Sequence, residues 1–442
     1  MNNELIVQCD KENIQAVMKL LETGAEVNCQ DGSGRTPLMV AVQKNNLDLV
    51  KLLMEAGGDL NIRDNTLLTP WLCAGANGFH NILREALNYS PDIRSANRFG
   101  GTVLLPSSEK GYLKTVEVAI AAGVPVNHVN DLGWSALQEA VILGNGGYLY
   151  RDIIRMLMDA GANPDLKDNE GKTALDWARE RQQESVLAIL EGREVLDRGS
   201  VPSRVRALIR DEDYDMALVL LEDALDSHSR NLELYYLTGY VLVLLDRHGE
   251  AVEVYRKALE RGGAPEFYFH TANTLRTMKR VEEALAEYDL AIAMDPSDFF
   301  YRYHKSNYLR ELGRHEDALK EMAVLIAHSP SRYDYYFHQA NSLRSLCRHQ
   351  EAAVSMDHAM AADSGNPLYV LHKGKSMALL GEYEEALALL SRAIEMKETA
   401  NPLFERGTVL RALDREDEAK RDFQRTLEIA PAHKEARQAL LG

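Results

Sequence analysis

Apolar positions recur along this chain at two different periods, one in each half. In the first half, a short motif that begins with threonine or serine recurs every 33 residues, with one interval of 38. In the second half, an alanine that usually follows an acidic residue recurs every 33 or 34 residues. A fixed period of this length indicates stacked supersecondary units, each of which contacts only its neighbours. The two periods therefore predict an all-α fold made of two consecutive helical-repeat solenoids.

The repeating unit of the first half is clearest in residues 34–64. Thr36 can cap a short helix that has Pro37 at its first position, where a missing N–H costs nothing. A second apolar helix follows, and Gly57 is placed to end it in a left-handed conformation. This unit resembles the ankyrin repeat, and the run from 130 to 147 resembles one in bacterial ankyrin-repeat proteins.

The interval of 38 contains five extra residues, which fall around Gly144–Tyr150 between the two helices of one repeat. The segment is rich in glycine and carries Tyr148 and Tyr150. It can be a loop that contacts a partner, or an insertion that the solenoid tolerates because loops absorb extra residues at small cost. The residues alone leave both interpretations open.

The second half carries its key alanines at Ala217, Ala251, Ala284, Ala318, Ala352, Ala386 and Ala419. Residues 312–319 and 380–387 around two of them resemble the tetratricopeptide repeat, a pair of antiparallel helices. A small residue recurs in each leading helix, as at Gly239, and a bulky residue follows the key alanine by four, as at Tyr255. These two recurring positions support the assignment to that repeat.

The end of one pattern and the start of the other predict the domain boundaries. We expect an ankyrin-like domain over 1–198, with about six repeats of which the first and last are caps. Residues 1–13 read as a polar lead-in to the first cap. We expect a tetratricopeptide-like domain over 199–442, with about seven repeats and a terminal capping helix from 433 to 441.

One polar pattern in the second half is the strongest candidate binding site. Three leading helices carry an aromatic residue, an asparagine and an arginine at steps of four and three, which places them on one helical stripe. The tetratricopeptide resemblance implies that this stripe lines a concave groove. The predicted peptide-binding residues are Phe269, Asn273, Arg276, Tyr303, Asn307, Arg310, Phe337, Asn341, Arg344 and Lys375.

The chemistry of the stripe suits an extended acidic peptide. Asparagine can both donate to and accept from a peptide main chain, and arginine binds carboxylates with two parallel hydrogen bonds. Aromatic residues stand where the family's carboxylate clamp has lysine, so a clamp for a terminal carboxylate is not expected. The alternative is that the asparagines and arginines bond neighbouring repeats together. Histidines recur beside the stripe, but repeats about 8–10 Å apart are too distant to share a metal.

Composition narrows the function further. The net charge of −17 divides almost equally between the halves, at −8 for 1–198 and −9 for 199–442, which disfavours nucleic acid as a partner. The four cysteines are scattered and show neither a disulfide nor a zinc pattern, and a cytoplasmic location is expected. No signal peptide and no membrane span are evident, so no membrane partner is expected.

No catalytic motif is recognisable, so we expect no enzymatic activity, no cofactor and no metal. The sequence predicts a protein–protein interaction scaffold that binds an acidic peptide in the second array and another protein on the ankyrin surface. The alternative is a regulatory or effector-type protein that inhibits or activates a partner enzyme by occlusion. Repeats of these kinds bind unrelated partners, so the sequence does not identify the ligand.

Overall fold

The computed structural model describes residues 2–31, 33–64, 66–194, 197, 199–330, 332–362, 365–429 and 433–441. Helices dominate this part of the chain, and its β-type pairing is an isolated bridge between Val129 and Ser135. None of the described helices is long and apolar enough to span a bilayer. The fold is all-α, as the two periods predict.

Six helix pairs form the first array in the described part of the chain, and a 3-10 turn at Leu87–Tyr89 extends the third pair. The helices are α1 (Asn2–Asp10), α2 (Ile14–Glu22), α3 (Pro37–Gln43), α4 (Leu47–Glu55), α5 (Pro70–Ala76), α6 (His80–Ala86), α7 (Leu104–Glu109), α8 (Leu113–Ala121), α9 (Ala136–Ile142), α10 (Tyr148–Asp159), α11 (Ala174–Glu180) and α12 (Glu184–Leu190).

Among the described residues after 199, seven helix pairs and a terminal helix form the second array. The helices are α13 (Val201–Arg210), α14 (Tyr214–Ser227), α15 (Leu232–Leu244), α16 (His248–Glu260), α17 (Glu266–Thr277), α18 (Val281–Met294), α19 (Phe299–Glu311), α20 (His315–His328), α21 (Tyr333–Ser345), α22 (His349–Ala362), α23 (Pro367–Leu380), α24 (Tyr383–Met396), α25 (Ala400–Ala412), α26 (Glu416–Ile429) and α27 (Lys434–Leu441).

Local chemistry explains where the helices of the first array begin. The Thr36 hydroxyl accepts a hydrogen bond from the N–H of Met39 at 3.1 Å, and Pro37 is the first residue of α3, as predicted.

The polar lead-in predicted for residues 1–13 is wrong for most of that segment. Residues 2–10 form α1, which buries Leu5 and Cys9, so the first repeat has both of its helices.

In the second array, the recurring small residues of leading helices pack against the recurring bulky residues of their partner helices. A β-carbon added at Gly239 would lie 2.2 Å from the ring of the buried Tyr255. One added at Gly407 would lie 2.6 Å from the ring of Phe423. A glycine in a helix is unfavourable by itself, so close packing of the two helices is what retains it here.

The chain divides into two compact units, and each contains segments of both arrays. The first unit comprises Met1–Leu143, Ile153–Trp177 and Ser329–Gly442. The second comprises Gly144–Asp152 and Ala178–His328. The domain boundary between 198 and 199 stays a prediction, and residue 198 lies outside the described part of the chain.

The four cysteines are all thiols, and they differ in exposure. Cys9, Cys29 and Cys73 are buried, whereas Cys347 is exposed. Burial raises the pKa of Cys9 and of Cys73 to about 12, with the neighbouring Cys29 and Asp64 adding to the respective shifts. The thiolate is the reactive form, so the buried thiols are protected both by access and by protonation.

We therefore expect one thiol per native chain to react rapidly with a water-soluble maleimide at mildly alkaline pH, and the other three only after denaturation. Mass spectrometry of the labelled chain would assign the rapid site to Cys347. The variant Cys347→Ser should lose the rapid phase. Rapid labelling of Cys9 or Cys73 would contradict the burial described here.

Candidate peptide-binding site

The aromatic members of the predicted stripe are core residues. Phe269, Tyr303 and Phe337 are 1%, 5% and 2% exposed. In the second unit, the Phe269 ring lies 4.7 Å from that of Phe300 on the next leading helix. In the first unit, the Phe337 ring lies 5.1 Å from that of His372. Burial gives these rings a packing role; ligand contact by them stays a prediction, for which the polar members are better placed.

The three asparagines of the stripe share one arrangement, in which the side-chain oxygen accepts a hydrogen bond from within its own unit. The donors are Tyr288 for Asn273 at 2.8 Å, Arg310 for Asn307 at 3.0 Å, and Arg344 for Asn341. Because arginine can only donate, the oxygens of Asn307 and Asn341 face the guanidinium groups. Among the described residues, the amide nitrogens of these two side chains have no hydrogen-bond acceptor.

Two cationic members of the stripe form ion pairs with neighbouring leading helices. In the second unit, Arg276 lies 2.5 Å from the carboxylate of Glu311 and stacks over Tyr308. In the first unit, Lys375 lies 2.5 Å from the carboxylate of Glu405. Both cations are about a third exposed. These pairs agree with the interpretation that the stripe bonds neighbouring repeats. A ligand carboxylate that binds Arg276 or Lys375 would share that cation with the glutamate already paired to it.

Arg344 lies near Arg98, a second arginine that belongs to the first array. Burial and the charge of Arg98 together lower the pKa of the Arg344 guanidinium to about 10, although Glu405 opposes the shift. One of its N–H groups donates to the main-chain oxygen of His372 at 3.3 Å. The positive charge around Arg344 thus comes from both arrays within the first unit.

Two of the recurring histidines, His270 and His372, are neutral packing residues. Burial lowers the pKa of His270 to about 3, and its ring lies 5.3 Å from both Tyr236 and Tyr255. Nε2 of His270 has no hydrogen-bond partner among the described residues. Burial also lowers the pKa of His372, with Arg344, Lys375 and Arg98 adding to the shift. The described residues contain no group of three potential metal ligands.

The five-residue insertion docks onto helices of the second array within the second unit. The main-chain N–H of Tyr148 donates to the Glu266 carboxylate at 2.9 Å, and its ring stacks on Tyr236 at 5.4 Å. The amide of Asn145 donates to the Tyr301 hydroxyl at 3.2 Å. We call residues 144–152 the docking segment. Its contacts are with its own chain, which neither of the two interpretations from sequence anticipated.

An ion pair fastens the far end of the docking segment. Asp152, which is 7% exposed, lies 2.8 Å from Arg206 on α13, and the Tyr236 hydroxyl donates to it at 3.4 Å. Arg206 also pairs with Glu233 at 2.8 Å. Burial raises the pKa of Glu266, although the Tyr148 N–H and Arg151 oppose the shift. The ion pair of Asp152 with Arg206 and the hydrogen bond to Glu266 therefore position the docking segment together with the stacked rings.

In the first unit, loops of the first array meet helices of the second array. The loop before α7 places Phe99 edge-on to Phe337, with ring centroids 5.4 Å apart, and Arg98 stacks on the same ring at 5.9 Å. The Asn97 side chain accepts hydrogen bonds from two N–H groups of its own loop, at 2.9 and 3.0 Å. Such turns fix the loop before any ligand binds.

A cleft of about 540 Å³ lies in the first unit beside these contacts. The described lining residues are Arg63, Thr66, Leu67, Ala96, Asn97, Arg98, Gly100, Asp131, Asn366, Pro367, Leu368, Leu371, His372, Lys375, Ala393, Lys397, Thr399, Asn401, Pro402, Phe404, Glu405, His433 and Glu435. Lys375 is the one predicted site residue among them. The cleft combines cations, amides and an apolar floor.

Sequence reasoning missed the other cations of this cleft. Arg63 directly precedes Asp64 in one loop of the first array, Arg98 directly follows the equivalent Asn97 in the next loop, and Lys397 lies between α24 and α25. Loop positions carry no helical periodicity, so the spacing that predicts the stripe does not include these cations. The available signal was that two successive inter-repeat loops each carry a basic residue. Only the folded first unit places these two arginines in one cleft with Lys397.

Comparisons with known proteins agree with this architecture. Family models for ankyrin repeats match residues 20–71, 71–168 and 104–198. Tetratricopeptide-repeat models match residues 203–266 and 265–298. The matched regions meet near residue 200, where the sequence pattern changes.

Two of the relatives with similar sequences are bacterial ankyrin-repeat proteins. The ankyrin repeat protein YahD of Escherichia coli (strain K12) is 35% identical over 188 residues, which is 42% of this chain and 94% of YahD. An ankyrin repeat-containing protein of Treponema pallidum (strain Nichols) is 33% identical over 28% of this chain and 37% of its own length. A solved ankyrin repeat domain from Acinetobacter baumannii AYE is 44% identical over 43% of this chain and 96% of the domain, with a TM-score of 0.42. This chain belongs to the ankyrin-repeat family, and its C-terminal part carries tetratricopeptide repeats.

Proposed function

We propose that this protein is a non-catalytic scaffold that binds other proteins, with an extended acidic peptide on the stripe of the second array. Ankyrin and tetratricopeptide repeats are protein-interaction modules, which supports the general role. The ankyrin surface would hold a second protein. The assignment of the stripe rests on its geometry.

One observation carries that assignment. The side chains of Asn307 and Asn341 are half-buried, and each has its oxygen held by an arginine of the same helix. The arginine fixes the orientation of the amide and leaves its N–H₂ group to donate to a peptide carbonyl. An amide that is already oriented loses little rotamer freedom on binding, which favours affinity. Arg310 beside it supplies the positive charge for an acidic side chain.

The double variant Asn307→Ala with Arg310→Ala should weaken binding of a glutamate-rich, end-blocked fluorescent peptide by about tenfold, or about 1.4 kcal/mol. Its thermal stability should stay close to that of the parent chain, because both side chains are part-exposed. Fluorescence anisotropy with the full chain measures the affinity, and differential scanning calorimetry measures the stability.

The matched control is Asn88→Ala with Arg94→Ala, which removes the same two side-chain types from exposed positions of the first array. This control should bind the peptide as the parent does. Unchanged affinity in the stripe variant would refute the assignment. A large loss of stability in the stripe variant would show that these residues hold repeats together instead.

A further inference from the structure

The cleft in the first unit is built jointly by the two arrays. Loops before α5, α7 and α9 supply one wall, including Arg63, Arg98 and Asp131. The first turn of α23 and the junction of α24 with α25 supply another, including Pro367 and Lys397. A loop wall that is fixed by side-chain caps and a helix wall that is fixed by packing form the cleft without a ligand.

The charged side chains of this cleft differ in whether they have an ion-pair partner. Arg63 and Lys397 are exposed, and neither side chain has an ion-pair partner within the described ranges. The acidic Glu405 is paired with Lys375 at 2.5 Å. Glu435 lies 3.3 Å from Nδ1 of His433, but that nitrogen accepts a hydrogen bond from the N–H of Ala436, and burial lowers the pKa of the imidazole. The two exposed cations therefore retain charge that an incoming anion can neutralise.

The lining of the cleft carries the cations Arg63, Arg98, Lys375 and Lys397 against the acids Asp131, Glu405 and Glu435. Burial and the charge of Arg98 lower the pKa of the nearby Arg344 to about 10, although Glu405 opposes the shift. The pKa of the neighbouring His372 is lowered by burial and by Arg344, Lys375 and Arg98, so three cations act on one imidazole. The whole chain has a net charge of −17, so this region opposes the average. A local positive field in an acidic protein selects an acidic ligand and speeds its encounter.

The floor of the cleft favours a peptide over a small inorganic anion. Leu67, Leu368, Leu371 and Phe404 add apolar surface to the lining. The side-chain amides of Asn97 and Asn401 also line it and can bond main-chain groups. A segment that alternates acidic and apolar side chains uses both kinds of surface.

We propose that this cleft is a composite site in which ankyrin loops and tetratricopeptide helices together bind an acidic peptide segment, with Arg63 and Lys397 contacting its carboxylates. The inference rests on the proposed function for the class of partner. It differs in location, because Asn307 and Arg310 belong to the second unit. The site requires residues from both arrays, so neither array would bind the segment through this cleft by itself.

The test is the double charge reversal Arg63→Glu with Lys397→Glu in the full chain. We expect it to weaken binding of an end-blocked peptide of glutamates and leucines by at least about tenfold at low ionic strength. The control Arg392→Glu with Lys420→Glu makes the same charge change at exposed positions on α24 and α26, away from the lining residues. It should change the affinity much less, which separates the cleft from net charge.

Several results would overturn the inference. One is that the charge reversal and its control weaken peptide binding equally. Another is that a peptide with glutamine in place of glutamate binds as tightly as the acidic peptide. A third is that the acidic peptide does not bind to the parent chain. Displacement of the peptide by inorganic phosphate or by a single-stranded oligonucleotide, but not by excess unlabelled peptide, would assign the cleft to another anion. Loss of binding in Asn307→Ala with Arg310→Ala but not in the reversal would refute the cleft and keep the stripe. The opposite pattern would refute the stripe and keep the cleft.

Discussion

The variant Gly239→Leu will destabilise the second unit by about 3 kcal/mol, the upper part of the range for overpacked cores. Even the β-carbon would lie 2.2 Å from one ring carbon of Tyr255 and 2.4 Å from another. Tyr255 is buried and cannot swing into solvent, so α15 and α16 must separate or the ring must leave its rotamer. Urea denaturation followed by far-ultraviolet circular dichroism measures the loss.

The same substitution at Gly249 is the matched control, because a β-carbon there meets nothing within 4 Å. Gly249 lies in α16, so leucine should raise the free energy of unfolding slightly, by up to about 1 kcal/mol, through its better helix propensity. The two substitutions should thus act in opposite directions. Equal effects at both positions would contradict the packing described for α15 and α16.

The positions that form this helix contact could be recognised in the sequence because they repeat. Small residues at Gly239 and Gly407 and bulky ones at Tyr255 and Phe423 recur with the period of the second array. A periodic position occupies the same environment in every repeat, so each copy supports the others. The start of α3 at Pro37 and the helix pairs after the first were predictable for the same reason.

The docking segment could not be predicted, because its contacts occur once. Nothing in the spacing links Tyr148 to Glu266 or Asn145 to Tyr301, residues 118 and 156 positions apart. The sequence showed only that extra residues with two tyrosines were present. Contacts between segments so distant along the chain follow from how the arrays meet, which a nearest-neighbour pattern does not encode.

The candidate site was partly predictable for a related reason. Helical spacing places Phe337, Asn341 and Arg344 on one stripe, but spacing alone does not tell which members are buried. Phe337 is covered by Phe99 from a loop of the first array, whereas the Asn341 amide nitrogen is not bonded to any described residue. The half of the site that depends on the other array was therefore missed.

The variant Asp152→Ala should cost about 3 kcal/mol, the lower part of the range for breaking a buried ion pair. Although burial lowers the pKa of Arg206, the charges of Asp152 and Glu233 raise it above its usual range, so the guanidinium stays charged. Removal of Asp152 leaves that charge with Glu233 and also removes an acceptor from the Tyr236 hydroxyl. The remaining Glu233 keeps the loss below that of a fully orphaned charge. Urea denaturation of the full chain measures it.

A double-mutant cycle with Arg206→Met isolates the pair from the rest of the segment. Because each single variant leaves a charge with fewer partners, the double variant should lose less stability than the two single losses combined. The surface pair of Arg247 and Glu250 has similar geometry at 2.7 Å but is exposed, so Glu250→Ala should change stability little. Strictly additive losses at Asp152 and Arg206 would mean that the pair does not hold the segment.

Hydrogen exchange then shows whether the loss is local to the docking segment. Tyr148 lies four residues before Asp152, and its N–H donates a hydrogen bond to Glu266. This N–H should exchange faster in Asp152→Ala if the segment undocks. Amides in α26, which belongs to the first unit, serve as the internal reference and should keep their protection. Faster exchange at Tyr148 alone would identify the ion pair as the fastening of the segment. Uniform acceleration in both units would instead show that Asp152 supports the whole fold, because the opening would then be global.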